Sequence, residues 1–462
     1  MPTPFDPWHT GAVAAEVAMA SCATPGWLEA QRARRLAALF EAAARGSPRY
    51  RRVFAGRDPA RMRLEELPVA RKAELMRHFS DWVTDPALAL GELRRFIADP
   101  GNIARAHLGR YTVWESSGSS GEPAVFVQDA RAMGVYDALE ALRRPVLRPL
   151  QRWLDPWGLS ERMAFVGATG GHFASTVSVE RLRQLQPGLS QRLRGLSFLQ
   201  PMEALCAELE AFQPTVLATY PSAAVLLAEQ HRAGRLRVDL REIWTGGETL
   251  SPAQRTFVRD SFACPVSQSY GASEFLSLAF ECRHGALHLN SDWAILEPVD
   301  AQGRAVPDGQ AGCTTLLTNL ANHVQPLIRY DLGDRVTFLP TPCACGSHLP
   351  VITVSGRDDD TLQLAGGRGR ACVQVVPLAV STVLEDAGLF DFQLVQEGPR
   401  ELLLTTGLHG RRAQPALDGA REKLQAFLWE QGARGVHIRC RSGAVARCGR
   451  SGKIQRVMAA AH

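Results

Sequence analysis

Apolar residues recur at three- and four-residue spacing over 27–47 (WLEAQRARRLAALFEAAARGS) and 70–82 (ARKAELMRHFSDW), a period that predicts two amphipathic helices in an α-rich lead-in. From about residue 124 the pattern changes. AVFVQD (124–129), RMAFVG (162–167), TVLATY (215–220), EIWTGG (242–247) and VSQSYG (266–271) read as short β-type runs, with helices predicted from Ser222 and Ser251. Strands alternating with helices predict a largely parallel sheet whose ligands sit at the carboxyl ends of the strands. Gly, Ser and Thr gather at those ends.

Between 286 and 340 strand follows strand. LHLNSDWAILEPV, TTLLTNL and PLIRYDLGDRVTFL, the first two joined by the Gly/Pro-rich AQGRAVPDGQAG, predict a smaller antiparallel subdomain. After GRDDD (356–360) the hairpin pattern FQLVQEGPRELLLTT, a helix near 413–430 and the strand GVHIRC predict a compact α+β unit. The expected fold class is therefore α/β. A large N-terminal domain over 1–357 would carry mixed and parallel sheets, helices and the antiparallel subdomain, and a small mobile α+β C-terminal domain would occupy 358–462. A chain of 462 residues exceeds what one hydrophobic core usually supports, which agrees with two domains.

Hydrophobic content of 45% with 21% charged residues excludes a disordered chain. The net charge of +5 is spread over single or paired basic residues, so neither a nucleic-acid patch nor a polybasic membrane anchor is expected, and a small-molecule substrate is. The opening MPTPFDPWHTGAVAAEV has no basic region followed by an apolar run, and no later run is long enough to span a bilayer, so a cytoplasmic location is expected. In that compartment the ten cysteines read as thiols or metal ligands. Lys72, Lys423 and Lys453 are the only lysines. A lysine inside a motif stands out accordingly.

The densest candidate for anion binding is SSGSSGEP. Ser116, Ser117, Ser119 and Ser120 interleave with Gly118 and Gly121, so hydroxyls and bare backbone amides can turn toward one phosphate group. A flexible connector has the same composition. No Gly-Lys-Ser/Thr follows, which disfavours a P-loop nucleotidase. No catalytic His/Asp loop of kinase type is found either.

SSGSSGEP, GGET (246–249), SYGASEF (269–275), RYDLGDRV (329–336), GRDDD and RSGKIQRV (450–457) together resemble, in order and spacing, the motif set of the acyl-adenylating superfamily. The phenylacetate-CoA ligase and coenzyme F390 synthetase-like branch is the most similar, and LPVARKAELMRHFSDWV resembles the approach segment of that branch. The resemblance implies an acid–thiol ligase. A carboxylate attacks the α-phosphorus of ATP, pyrophosphate leaves, and a thiol then cleaves the mixed anhydride, so the site must spread negative charge and exclude water. Coenzyme A is the implied acceptor, with the phosphopantetheine of an acyl carrier protein as the alternative, and the implied acid is aromatic or arylalkyl.

Residue roles follow from the same resemblance. Ser116 to Gly121 would hold the β- and γ-phosphates. Glu274 beside Ser273 would hold Mg²⁺, where a carboxylate would otherwise serve as a first-turn helix acid. Glu248 and Thr249 would flank adenine, with Tyr270 stacking on it beside Gly271; outside this motif Tyr270 would read as a core aromatic. Asp334 and Arg357 would grip the ribose. His172, in ATGGHFAST, would stand as the gate at the carboxylate end of an acyl slot lined by Gly170, Gly171, Tyr220, Gly246 and Gly247. Lys453 would drive adenylation and Asp359 would be the hinge of the C-terminal domain. Cys282, His288, Cys343 and Cys345 would close a structural Zn²⁺ site similar to that of a zinc-bearing subset of the branch, with His284 competing for the histidine position and unliganded thiols as the other reading. One departure stands out. LAGGRGRACVQVVP is richer in Gly and Arg than the family's usual entry to the C-terminal domain, which leaves the thiol acceptor open.

Overall fold

Pro25–Gly46 forms one 22-residue helix as its period predicts; Thr24 caps it by accepting a hydrogen bond from the Trp27 amide, and Pro25 occupies its first turn. Its buried stripe is Leu28, Arg35, Leu39, Phe40 and Ala43. The segment 70–82 departs from expectation. It breaks at His78 (φ −114°, ψ 42°) into two short helices, Lys72–Arg77 and Phe79–Trp82. The break turns Phe79 and Trp82 into the core, where the Trp82 indole N–H donates to the Pro326 carbonyl at 2.6 Å.

The computed structural model describes residues 4–58, 62–116, 123–144, 155, 160–167, 169–357, 361–366, 372–375, 377–410, 413–443 and 456–459. The fold is mixed α/β, and its contacts divide it into two units, one made of Met1–Ser197, Ser267–Leu332 and Val336–Thr353, the other of Phe198–Val266, Gly333–Arg335 and Val354–His462. In the first unit Met163–Gly167 and Leu193–Ser197 pair in parallel, connected through the helix Ala174–Leu185. The run 124–129 belongs elsewhere. Val125–Gln128 pairs antiparallel with Thr112–Glu115. The run at 266–271 is the strand Val266–Ala272, which pairs antiparallel with Phe275–Glu281, a strand absent from the sequence reading, with Ala272 opposite Phe275. Leu287–Leu289 and then Val351–Arg357 continue that antiparallel ladder.

The antiparallel subdomain forms from Ala294–Val299, Thr314–Asn319 and Tyr330–Asp331. The continuous run LHLNSDWAILEPV splits between two sheets at Asn290–Trp293, because Asp292 is the centre of a buried ionic network. The Arg143 guanidinium meets its carboxylate with two bonds of 2.7 and 2.8 Å and reaches the Asn290 side chain at 2.7 Å, while Arg35 donates to the Asp292 carbonyl at 2.6 Å and lies 3.5 Å over the Trp293 ring. This accounts for an arginine in the apolar stripe of the long helix. Removing one charge strands the others out of water, so Asp292→Asn is expected to cost about 3 kcal/mol of stability, read by denaturant unfolding. A loss under about 1 kcal/mol would contradict this account.

In the second unit Val216–Thr219 and Glu242–Thr245 pair in parallel through the helix Pro221–Arg232. Helix Pro252–Phe262 starts at a reciprocal Ser251–Gln254 capping box. Toward the C-terminus a four-stranded sheet runs in the order His437–Ser442, Glu401–Thr406, Gln393–Gly398, Val457–Met458. Helices Pro377–Asp386 and Ala413–Glu430 cover it, and Leu394, Leu404, Leu417, Leu424 and Val457 fill the α+β core between. Among the described residues no helix is long and apolar enough to cross a membrane.

Candidate active site

Ser116 pairs with Ala124 just beyond the strands Thr112–Glu115 and Val125–Gln128. Its amide donates to the Ala124 carbonyl at 2.8 Å, and its hydroxyl oxygen accepts from the Ala124 amide at 2.9 Å. Ser117, Gly118, Ser119, Ser120 and Gly121 lie outside the described residues. One residue before Ser116, the Glu115 amide donates to the His172 carbonyl at 2.8 Å, and Glu115 bridges Phe173 in parallel fashion. The backbone thus brings His172 against the start of SSGSSGEP.

The His172 ring is 1% exposed and lies 5.8 Å from the Phe96 ring. Among the described residues neither ring nitrogen meets hydrogen-bond geometry with any group. Burial pushes its pKa down, opposed by the nearby backbone of Asn102 and Ile97, so the ring is held neutral. A side-chain carbon at Gly171 would approach the Phe173 ring to 2.9 Å, whereas one at Gly170 would meet nothing within 4 Å. Only Gly171 is required by packing.

Ser273 and Glu274 form the two-residue turn between Ala272 and Phe275. The Trp114 indole N–H donates to the Ser273 carbonyl at 2.8 Å, the Asn319 amide donates to the Glu274 carbonyl at 2.9 Å, and the Tyr330 hydroxyl donates to Oε1 of Glu274 at 2.9 Å. A hard carboxylate oxygen on an anchored turn fits a divalent cation such as Mg²⁺. Tyr270 is half-buried in the same strand. At Gly271 an added Cβ would fall 1.9 Å from the Leu276 carbonyl oxygen, so this position admits no side chain.

In the second unit Tyr220 is buried and precedes the helix Pro221–Arg232, and the Gly246 amide donates to the Thr219 carbonyl at 3.2 Å, bringing the ends of two parallel strands together. Glu248 accepts from the Ser222 amide at 3.1 Å, where the helix N-terminus favours a carboxylate. Gly247 has a left-handed φ of +77°, and Thr249 is exposed. Asp334 opens the strand Asp334–Leu339, and Arg357 ends Val351–Arg357. Asp359 and Lys453 lie outside the described residues.

A separate cluster joins Cys282, His288, Cys343 and Cys345, whose ligating atoms all lie within 4.8 Å of one another. The Cys282 and Cys343 sulfurs are 3.7 Å apart, and Cys345 Sγ lies 3.3 Å from His288 Nε2. His288 is fully buried, with Nδ1 2.8 Å from the Leu349 carbonyl, a contact that places the proton on Nδ1 and turns the Nε2 lone pair to the sulfurs. Amides of His284 and Ser347 donate to the sulfurs of Cys282 and Cys345, each at 3.4 Å. Both cysteine loops turn through a left-handed glycine, Gly285 (φ +79°) and Gly346 (φ +84°). Three soft sulfurs, one imidazole and a fixed tautomer fit zinc. His284, exposed and outside the cluster, lies against Arg283.

Residues 193–313 match the family model described as AMP-binding enzyme. A 2-hydroxyisobutyryl-CoA ligase, solved in the postadenylation state with 2-HIB-AMP, superimposes with a TM-score of 0.66 at 21% identity, covering 93% of this chain and 89% of that one. The chain has the fold of the adenylate-forming enzymes. A benzoate CoA ligase from Burkholderia xenovorans LB400 shares that fold with a TM-score of 0.52 at 17% identity over 97% of this chain and 98% of that one. Protein CapK of Staphylococcus aureus is 24% identical over 194 residues, so the match spans 41% of each chain.

On the adenylate-forming fold, three side chains that the motifs did not single out converge on the Ser273–Glu274 turn. Trp114 and Asn319 sit in strands with ordinary apolar patterns, and nothing local marks them. Tyr330 lies inside RYDLGDRV, so its motif was visible while its partner was not.

Proposed function

We propose that this protein is an AMP-forming acid–thiol ligase of the phenylacetate-CoA ligase-like branch, activating an aromatic or arylalkyl carboxylic acid and passing it to coenzyme A. The observation that carries this reading is the ordered motif set, from SSGSSGEP to RSGKIQRV, on a chain with the adenylate-forming fold. In the first half-reaction a carboxylate oxygen bonds to the α-phosphorus of ATP and the bond to pyrophosphate breaks. In the second the thiol sulfur bonds to the acyl carbon, its proton is released and AMP departs.

The Ser116–Gly121 loop binds the phosphates, the residue pairs Glu248/Thr249 and Asp334/Arg357 recognise adenine and ribose, and Tyr270 stacks on the base. Glu274, beside Ser273, is the residue that would hold Mg²⁺, which when bound offsets phosphate charge. His172 contributes a neutral, flat wall at the carboxylate end of the acyl slot, so no second charge competes with Lys453 for the substrate carboxylate. Segment 358–462 is the moving domain and Asp359 its hinge. The four-residue Cys/His cluster holds a structural zinc, remote in role from the chemistry.

The expected result is AMP and pyrophosphate, formed only when ATP, Mg²⁺ and a suitable acid are present together, measured by product analysis across benzoate-, phenylacetate- and hydroxybenzoate-type acids with coenzyme A or a loaded carrier protein. Preference between the thiols identifies the acceptor. If no acid raises AMP release with either thiol and mass spectrometry detects no acyl-adenylate, the ligase reading is wrong.

A further inference from the structure

The turn that carries Glu274 is held far more firmly than a hairpin requires. Two-residue hairpin loops close through their own backbone conformation, and their carbonyls ordinarily face water. Here both carbonyls of Ser273–Glu274 accept from fully buried side chains, Trp114 and Asn319, and the Glu274 carboxylate accepts from Tyr330, itself 2% exposed. The three donors come from three strands in two sheets.

Each donor is fixed in turn. Leu317 stands opposite Tyr330 in the antiparallel sheet, and Asn319 follows two residues later on the same face, so the two donors are neighbours by register. The Asn319 side-chain oxygen accepts from the amides of Ala321 (2.9 Å) and Asn322 (3.2 Å), which orients its NH₂ group toward the turn and toward the Tyr136 hydroxyl at 2.9 Å. On the other side of Tyr330, Arg329 adopts a left-handed φ of +48°. That conformation is disfavoured for arginine and persists only where the surroundings over-determine it. They do so here: the buried guanidinium bonds Glu297 at 3.1 Å and the carbonyls of Leu67 at 2.7 Å and Gly303 at 3.2 Å. Both neighbours of Tyr330 also pair with Ala70, Arg329 accepting from its amide and Asp331 donating to its carbonyl, each at 2.9 Å. Strain of this kind is retained where the position of the next side chain matters.

We infer that Tyr330, with Asn319 and Trp114 behind it, is a positioning residue that orients the Glu274 carboxylate for the divalent cation accompanying the nucleotide. The inference rests on the ATP-dependent reading given above. It assigns to Tyr330 no contact with substrate; the residue acts through Glu274.

The test uses the full-length protein with Mn²⁺ as the probe, its ATP-dependent binding followed by electron paramagnetic resonance, so that turnover is not the readout. Tyr330→Phe removes one oxygen and is expected to weaken ATP-dependent Mn²⁺ binding about tenfold, the scale of one hydrogen bond to a charged group. Glu274→Gln should weaken it at least as much, and Tyr330→Phe in that background should add nothing. Trp114→Phe, which deletes only the donor to Ser273, gives a second reading should Tyr330→Phe melt early; several-fold weakening supports the assignment. Wild-type affinity in both variants, or losses that simply add in the double variant, overturns it. If the wild-type protein binds no Mn²⁺ with ATP, the ligase reading itself fails, and the inference falls with it.

Discussion

Lys453→Ala is expected to lower acid-dependent pyrophosphate exchange by at least about a thousandfold, equivalent to about 4 kcal/mol of transition-state stabilisation. As carboxylate attacks the α-phosphorus, negative charge passes from the acid to the phosphoryl oxygens and the leaving pyrophosphate. A compact ammonium on a flexible stem can bridge those groups as the charge moves. In a chain with 49 arginines and three lysines (52 basic residues less three), the lysine in RSGKI occupies a place that an always-charged planar fork would not fill in the same way. The second half-reaction makes no such demand, because the thiol attacks an acyl carbon already activated. Thioester formation from supplied acyl-adenylate should therefore survive in the variant. Unimpaired exchange, or equal loss of both half-reactions, removes Lys453 from the role proposed for it.

Protein purified without added metal should contain about one equivalent of zinc, and stripping it with a strong chelator should cost on the order of 5 kcal/mol of stability, part of the roughly 10–16 kcal/mol that structural zinc supplies to zinc-finger peptides. The reason lies in the spacing of the cluster. His288 lies within the ladder strand Leu287–Leu289 and Cys282 a few residues before it, and Cys343 and Cys345 arrive from a loop about 55 residues later, so a single ion closes a long loop. Among the described residues no disulfide or other covalent link does this work; all nine of their cysteines are free thiols. His288→Ala should reduce the bound metal by at least about fivefold, because it deletes one of four ligands and the Leu349 contact that orients it. Elemental analysis together with thermal unfolding before and after chelation decides the matter. Less than roughly a tenth of an equivalent, with an unchanged melting curve, leaves the thiols unliganded.

The two effects reach different parts of the molecule. Loss of zinc should lower stability and leave the half-reactions of the surviving folded fraction intact, whereas Lys453→Ala should leave the melting curve unchanged. Measuring both quantities for each variant separates chemistry from folding.

What the sequence determined by itself is local. The 3.6-residue period placed Pro25–Gly46, the helices expected from Ser251 and near 413–430 appear as Pro252–Phe262 and Ala413–Glu430, and the hairpin pattern at 392–406 appears as Gln393–Gly398 and Glu401–Thr406. Such signals act over one or two turns of chain, where each residue's own geometry decides. The Cys/His cluster was legible because few residue types bind soft metals, although choosing His288 over His284 required knowing which side chain was buried. Tertiary structure decided the rest, because pairing partners and distant charges leave no local period. A run such as VSQSYG reads as a strand, yet nothing in it announces that Phe275–Glu281 pairs antiparallel beside it. The apolar reading of LHLNSDWAILEPV likewise hid the split at Asp292, which exists because Arg143 and Arg35 reach it from elements about 150 and 260 residues away. For the same reason Tyr330, Asn319 and Trp114 gave no sign of their common target: side-chain hydrogen bonds to a turn 45 to 159 residues away are set by packing alone.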